Sequence, residues 1–152
     1  MKKTILLGAL LFTIFCSYGF SDRKEKEINE RVKASFHREF VDAEEVQWVD
    51  MESYIIVNFK VVNQVLSAYF NPEGELLGVT RNISSQQLPI GLLLVLRSKY
   101  ASYWITGLLE MNDRESSFYF ATVNNGCTEI ILKSQGNSSW QVYAKKRLTP
   151  RK

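Results

Sequence analysis

Proton transfer near neutral pH needs a histidine, an activated thiol, paired carboxylates or a metal, and this chain is poor in all of them. It has one histidine, His37, and two cysteines, Cys16 and Cys127. His37 follows Phe36, roughly 100° further round a helix, which places it at the edge of a polar face. Cys127 follows Gly126 in a turn where a nucleophile could be presented, yet no base or cation adjoins it in sequence to activate it. A hydrolase using His37 or Cys127 is therefore the least favoured function. The run Asp42-Ala43-Glu44-Glu45 lacks the alternating oxygen ligands and the glycine of a calcium loop. Asn71-Pro72-Glu73-Gly74 and Asn124-Asn125-Gly126 are followed by strand patterns, whereas a phosphate cradle needs a helix start just after its glycines. The expectation is no catalytic residue, no metal and no cofactor.

The elements that must position any remaining surface begin after a leader. "MKKTILLGALLFTIFCSYGFS" has two lysines, an apolar run from Ile5 to Cys16 and then small residues, the layout of an export signal. The run is too short to span a bilayer, which takes about 20 apolar residues. Residues 1–21 are expected to be a signal peptide, with cleavage after Gly19 or Ser21, and the product to be periplasmic or secreted. Lipidation at Cys16 is the minority alternative, because Phe15 stands where lipoprotein processing takes a small residue. The formal charge of +3 falls close to neutral once Lys2 and Lys3 leave with the signal. Such a chain has no coherent basic face for nucleic acid, although its tail "AKKRLTPRK" is locally basic. Cys127 would be the sole remaining cysteine, so stability must come from packing.

From Asp22 to Phe40 the apolar residues Ile28, Val32, Phe36 and Phe40 recur every four positions among charged ones, which predicts an amphipathic helix capped by Ser21 or Asp22. "EEVQWV", "SYIIVNFKV", a run through Leu66, Ala68 and Phe70, and "ELLGVTRNI" read as four strands. The last two are joined at Asn71-Pro72-Glu73-Gly74, where Pro72 pre-sets a negative φ and Gly74 tolerates a positive one. "SSQQLPIGLLLVLRSKY" then predicts a second helix, with caps at Ser84 and Ser85 and Pro89 in its first turn. Four further strand-like runs follow: "SYWITGLLEM", "SSFYFATV", "CTEIILKS" and "SSWQVYAKKRL". Residues 24–83 and 86–147 thus share one order, helix then four strands, a match of pattern rather than of residues. The expected fold is α+β, a tandem repeat of a helix plus a four-stranded antiparallel sheet within one domain over residues 22–152, with the helices on one face of the sheet.

The run "FHREFVDAEEVQW", then "VNF", "AYFNPEGELLGVTRNI" and "LP" before the second helix, resembles the PepSY-like, beta-lactamase-inhibitor-protein-like secreted bacterial proteins of unknown function. The resemblance spans residues 28–147 and is strongest from Phe36 to Pro89; "SQGNS" departs from the acidic-then-glycine turn expected in the second half. It implies export and the tandem fold, and no reaction. Inhibition of a beta-lactamase does not follow, since the named inhibitor is stapled by disulfides that this chain cannot form.

An antiparallel sheet with helices on one face leaves the other to solvent or a partner. Strand phasing assigns Tyr54, Asn58, Tyr69, Gln141, Tyr143, Lys145 and Arg147 to that face. Tyrosine and arginine are enriched where proteins meet, because they bring contact area and polar handles at modest entropy cost. The leading expectation is an exported, non-catalytic binding module for another secreted or envelope protein or peptide. The alternative is a periplasmic binder of a small apolar ligand between helices and sheet, suggested by the apolar second helix "PIGLLLVL".

Overall fold

The computed structural model describes residues 28–149; the expected leader, its cleavage points and the caps Ser21 and Asp22 lie outside the described residues. Helix α1 (Glu30–Glu39) begins later than the periodicity predicts, because Asn29 caps it: its side-chain oxygen accepts the Arg31 N–H at 2.9 Å. The same side chain donates to the Pro72 carbonyl at 3.0 Å and so ties the helix start to a distant hairpin turn. Val32 and Phe36 are wholly buried on its inner face, and Ile28 packs with them from just ahead of the first turn.

Four strands follow, β1 (Glu44–Asp50), β2 (Ile55–Val61), β3 (Gln64–Phe70) and β4 (Leu76–Asn82), then helix α2 (Ile90–Lys99) and strands β5 (Trp104–Asn112), β6 (Ser117–Asn124), β7 (Thr128–Gln135) and β8 (Gln141–Arg147). All eight strands lie where the alternation predicts them. The caps of α2 do not. Ser84 donates its N–H to Gln87 Oε1 and Gln87 donates its own to the Ser84 carbonyl, closing a separate turn. The helix starts after Pro89, which sits at the N-cap rather than inside the helix and, with no N–H and no side-chain acceptor, ends the turn without capping the helix.

The strands form one sheet in sequence order, β1 through β8, with every neighbouring pair antiparallel. β4 and β5 meet over four residue pairs, from Val79 opposite Asn112 to Asn82 opposite Leu109. The molecule is thus α+β, with two helices and one continuous eight-stranded antiparallel sheet.

Each helix covers its own part of one sheet face. Phe36 of α1 packs edge-on to Phe59 at 5.0 Å and to Trp48 at 5.2 Å, among Ile55, Val57, Ala68 and Phe70. Truncating such a buried ring costs about 3–5 kcal/mol. Leu92 and Leu96 of α2 pack on Leu108, Ala121, Val123, Ile130 and Leu132. Between the two clusters, where β4 meets β5, Arg81 pairs with Glu110 at 2.5 Å and the Tyr119 hydroxyl approaches the same carboxylate at 3.5 Å. The helix-bearing face is therefore two apolar cores divided by a polar seam.

A hairpin turn rests on each helix start, and a glycine makes each contact possible. Gly74, at φ +87° in the β3–β4 turn, lies where an added Cβ would stand 3.0 Å from the Arg31 carbonyl. At α2 the glycine belongs to the helix: a Cβ on Gly91 would stand 2.5 Å from the Asn137 carbonyl of the β7–β8 turn. Trp140, just beyond that turn, donates its indole N–H to the Leu92 carbonyl at 2.9 Å.

Candidate functional site

Neither helix covers the opposite face of the sheet, and its two ends differ. At the β1–β4 end Tyr54, Ile56 and Tyr69 form a packed cluster with Val49, Met51 and Leu77. Tyr54 and Tyr69 lie on the face predicted for them, but they are 6% and 2% exposed, with ring centroids 6.3 Å apart. This corrects the expectation that they are open to a partner. Burial raises the Tyr69 pKa, against a smaller lowering by its hydrogen bond with Thr80. Tyr69 lies opposite Gly78, and Met111 closes in from the far side, its Cε 3.0 Å from where a Gly78 Cβ would be. Asn58 is half-buried and accepts the Ser67 hydroxyl at 2.7 Å, so its amide is engaged within the sheet.

At the β5–β8 end the same face is more open. Phe120 is buried and Phe118 half-buried, and the Lys133 ammonium stands 4.5 Å from the Phe118 centroid and 5.6 Å from that of Phe120. Tyr143 meets Phe120 edge-on at 6.0 Å. Its burial raises the hydroxyl pKa. Lys133 is held by π faces and makes no salt bridge among the described residues, so its charge is positioned without being neutralised. Trp104, opposite Asn124 at the start of β5, is 67% exposed.

β8 departs from the predicted phasing. Gln141 pairs with Lys133 and Val142 with Leu132, but a bulge follows, so that Ala144 pairs with Ile131 and Lys145 with Ile130. Tyr143 is the extra residue and stays on the helix-free face, with exposed Gln141 beside it. Beyond the bulge the parity inverts: Lys145 and Arg147 oppose Ile130 and Thr128 on the helix-bearing side, while Lys146 opposes Glu129 on the helix-free face. Lys145 and Arg147 therefore do not belong to the predicted face, because one inserted residue exchanges the two sides of a strand.

Of the seven residues predicted for the site, the structure brings Gln141 and Tyr143 together on an accessible surface. Sequence reasoning missed Phe118, Phe120, Lys133 and Trp104. In "SFYFATV" three consecutive aromatics occupy both faces, and in "EIILKS" the apolar run hides the parity, so alternation could not choose a side. The usable signal was Lys133 itself, a cation at the end of that run.

His37 is exposed on α1, its ring centroid 5.5 Å from that of Phe36, and Cys127 is an exposed free thiol in the β6–β7 turn. The core under α1 draws on β1 to β4, so the two residues are separated by at least two strand spacings of about 4.8 Å, beyond hydrogen-bond reach. No cluster of three or more metal-ligating side chains occurs among the described residues, and no described helix is long and apolar enough to cross a membrane.

No family model and no curated protein matches the chain. Solved structures do match. A DUF2874 family protein from Bacteroides ovatus aligns with TM-score 0.70 at 15% identity, over 80% of this chain and 89% of that one. A protein provisionally named periplasmic, from Bacteroides eggerthii, aligns with TM-score 0.70 at 11% identity, over 80% and 90%. A BLIP-like protein from Bacteroides fragilis aligns with TM-score 0.66 at 14% identity, over 84% and 91%. At these identities the likeness concerns the fold, and the chain has the fold of the BLIP-like and DUF2874 proteins of Bacteroides.

Proposed function

We propose that this chain is an exported, non-catalytic binding module that engages another secreted or envelope protein or peptide through the helix-free face of β5–β8. The observation that carries the reading is Lys133, an ammonium seated on Phe118 and Phe120 beside Tyr143, on a face that neither helix covers. Tyrosine and other aromatic area supply contact at binding surfaces, and a cation fixed on rings adds a directed charge that a partner's carboxylate can meet. The periplasmic and BLIP-like names among the structural neighbours support export and a binding role. The signal peptide at residues 1–21 belongs to this reading.

We also read residues 24–83 and 86–147 as two copies of one unit. Its support is the order of elements together with the paired contacts at the helix starts, where Gly74 faces the Arg31 carbonyl in one half and Gly91 faces the Asn137 carbonyl in the other. The small-ligand alternative gains no observation: Leu88, Leu92 and Leu96 are buried against Leu108, Ala121, Val123, Ile130 and Leu132 of the sheet.

The test is capture from envelope extract of the source organism on immobilised wild-type chain, Lys133→Glu and Arg97→Glu. Arg97 is exposed in the last turn of α2. The reading expects a partner held by the wild type and Arg97→Glu and lost with Lys133→Glu. A partner lost only with Arg97→Glu would place binding on the helix side and refute it.

A further inference from the structure

We propose that the two edges of the sheet are complementary docking strands for a second copy of this chain, β8 of one molecule pairing with β1 of the next. Within the described residues β1 bonds only to β2 and β8 only to β7, so each presents an outward row of backbone N–H and C=O groups that wants water or another strand. An even number of antiparallel strands makes β1 and β8 run in opposite directions. A copy displaced sideways without rotation therefore offers its β1 antiparallel to β8, and the sheet continues its own alternation across the boundary.

Charge selects this pairing over the others. Residues 41–53 contain Asp42, Glu44, Glu45, Asp50 and Glu52 and neither lysine nor arginine. Residues 141–149 contain Lys145, Lys146 and Arg147 and no carboxylate. Antiparallel alignment sets the Glu44 end of β1 beside the Arg147 end of β8, where the charges on each strand are concentrated. Pairing of like edges, which a two-fold dimer would require, sets acid against acid or base against base, and such juxtapositions cost several kcal/mol. Glu45 already pairs with Lys60 at 2.6 Å, so Asp42 and Glu44, both exposed, carry more of the contact. Bulges interrupt β1 between Glu44 and Gln47 and β8 at Tyr143. They shorten the run that can zip and so make the contact reversible, while the opposed charges make it salt-dependent. The head-to-tail geometry closes on no fixed dimer, so assembly proceeds to a ring or a filament, and the helix-free face stays available to the partner proposed above.

Sedimentation velocity of the exported chain tests this. At about 20 mM salt the proposal expects species beyond a dimer that grow with protein concentration, and at about 0.5 M salt an association at least tenfold weaker. Lys145→Glu with Lys146→Glu, and separately Asp42→Lys with Glu44→Lys, should each yield monomers with unchanged circular dichroism. Mixing the two variants should restore assembly, because the native β1 of one meets the native β8 of the other and the reversed edges, an acidic β8 and a basic β1, again oppose unlike charges. Wild-type monomers at low salt, variants that assemble like the wild type, or a mixture that stays monomeric would each overturn the proposal. Should the β8 variant fail to fold, Asp42→Lys with Glu44→Lys interrogates the same contact from the other side.

Discussion

Replacing Gly91 by alanine puts two effects of opposite sign at one atom. On intrinsic propensity alone the change should stabilise α2 by about 1 kcal/mol, since glycine is that much poorer than alanine inside a helix. The structure predicts the reverse. The new Cβ would stand 2.5 Å from the Asn137 carbonyl, which is backbone and cannot rotate away, with Asn137 C and Ser138 Cα both at 3.7 Å. Relief requires the β7–β8 turn to lift from the helix, and that lift pulls on the Trp140 indole bonded to the Leu92 carbonyl at 2.9 Å. Overpacking of this kind costs about 1–3 kcal/mol, and weakening the indole bond adds about 1 kcal/mol. Net of propensity, the variant should lose about 1–3 kcal/mol, a fall in Tm of roughly 4–12 °C for a domain of this size. Thermal and urea unfolding followed by circular dichroism measure it. Gly107→Ala is the control, because its Cβ would meet nothing closer than 3.7 Å, and it should stay within about 0.5 kcal/mol of wild type. Combining Gly91→Ala with Trp140→Phe should be less than additive, since both loosen one contact. A Gly91→Ala variant more stable than wild type would show that the turn does not rest on the helix, and would remove half of the support for two equivalent units.

Tyr69, whose hydroxyl pKa is raised chiefly by burial, should make the fold alkali-sensitive. The unfolded chain releases that proton near pH 10 and the folded chain later, so the stability is whole below about pH 10 and is lost as pH rises through the folded value. Tyr69→Phe should flatten that part of the decline in melts run from pH 8 to 11. Arg81→Met strands the Glu110 carboxylate, whose side chain is 13% exposed, and should cost about 1–3 kcal/mol in urea unfolding, with Glu110→Gln in the same chain recovering part of it. Lys133→Met keeps the stem on the Phe118 ring and removes the charge. It should leave Tm within about 2 °C of wild type while weakening capture of the partner at least tenfold.

The helix and strand order was legible because apolar period and turn chemistry agreed along most of the chain: Asn71-Pro72-Glu73-Gly74 announced its turn, and Ile55, Val57 and Phe59 announced their face. Helix starts were less legible. Ser84 and Ser85 are capping residue types, yet Ser84 closes a local turn with Gln87 ahead of the helix, and Asn29 is hidden in the sequence because the apolar stripe reads through it to Ile28. The binding surface was the least legible part. Alternation predicts which side a residue takes only while the register holds, and the bulge at Tyr143 sends Lys145 and Arg147 to the other side with no glycine or proline in "QVYAKKR" to mark it. Nor does alternation say whether a face is open, since Tyr54 and Tyr69 occupy the predicted side and are buried there in a cluster with Ile56, Val49, Met51 and Leu77.

That last difference separates the two ends of the sheet. On the helix-bearing face both use the same device, two buried residues one helical turn apart packed on alternating strand residues: Val32 and Phe36 in α1, Leu92 and Leu96 in α2. On the opposite face they diverge. Ile56 and Tyr69, direct neighbours across β2 and β3, close the first end with apolar contact. At the other end the cross-strand neighbours Phe120 and Lys133 of β6 and β7 combine a ring with a charge. An ammonium on a ring gains from the π face but keeps most of its field, and that field is screened less against a low-dielectric surface than in open water. A side chain chosen only to close the sheet would be apolar, as Ile56 is. A lysine there gives up apolar contact for a directed charge, and that exchange is intelligible where another molecule supplies the counter-charge.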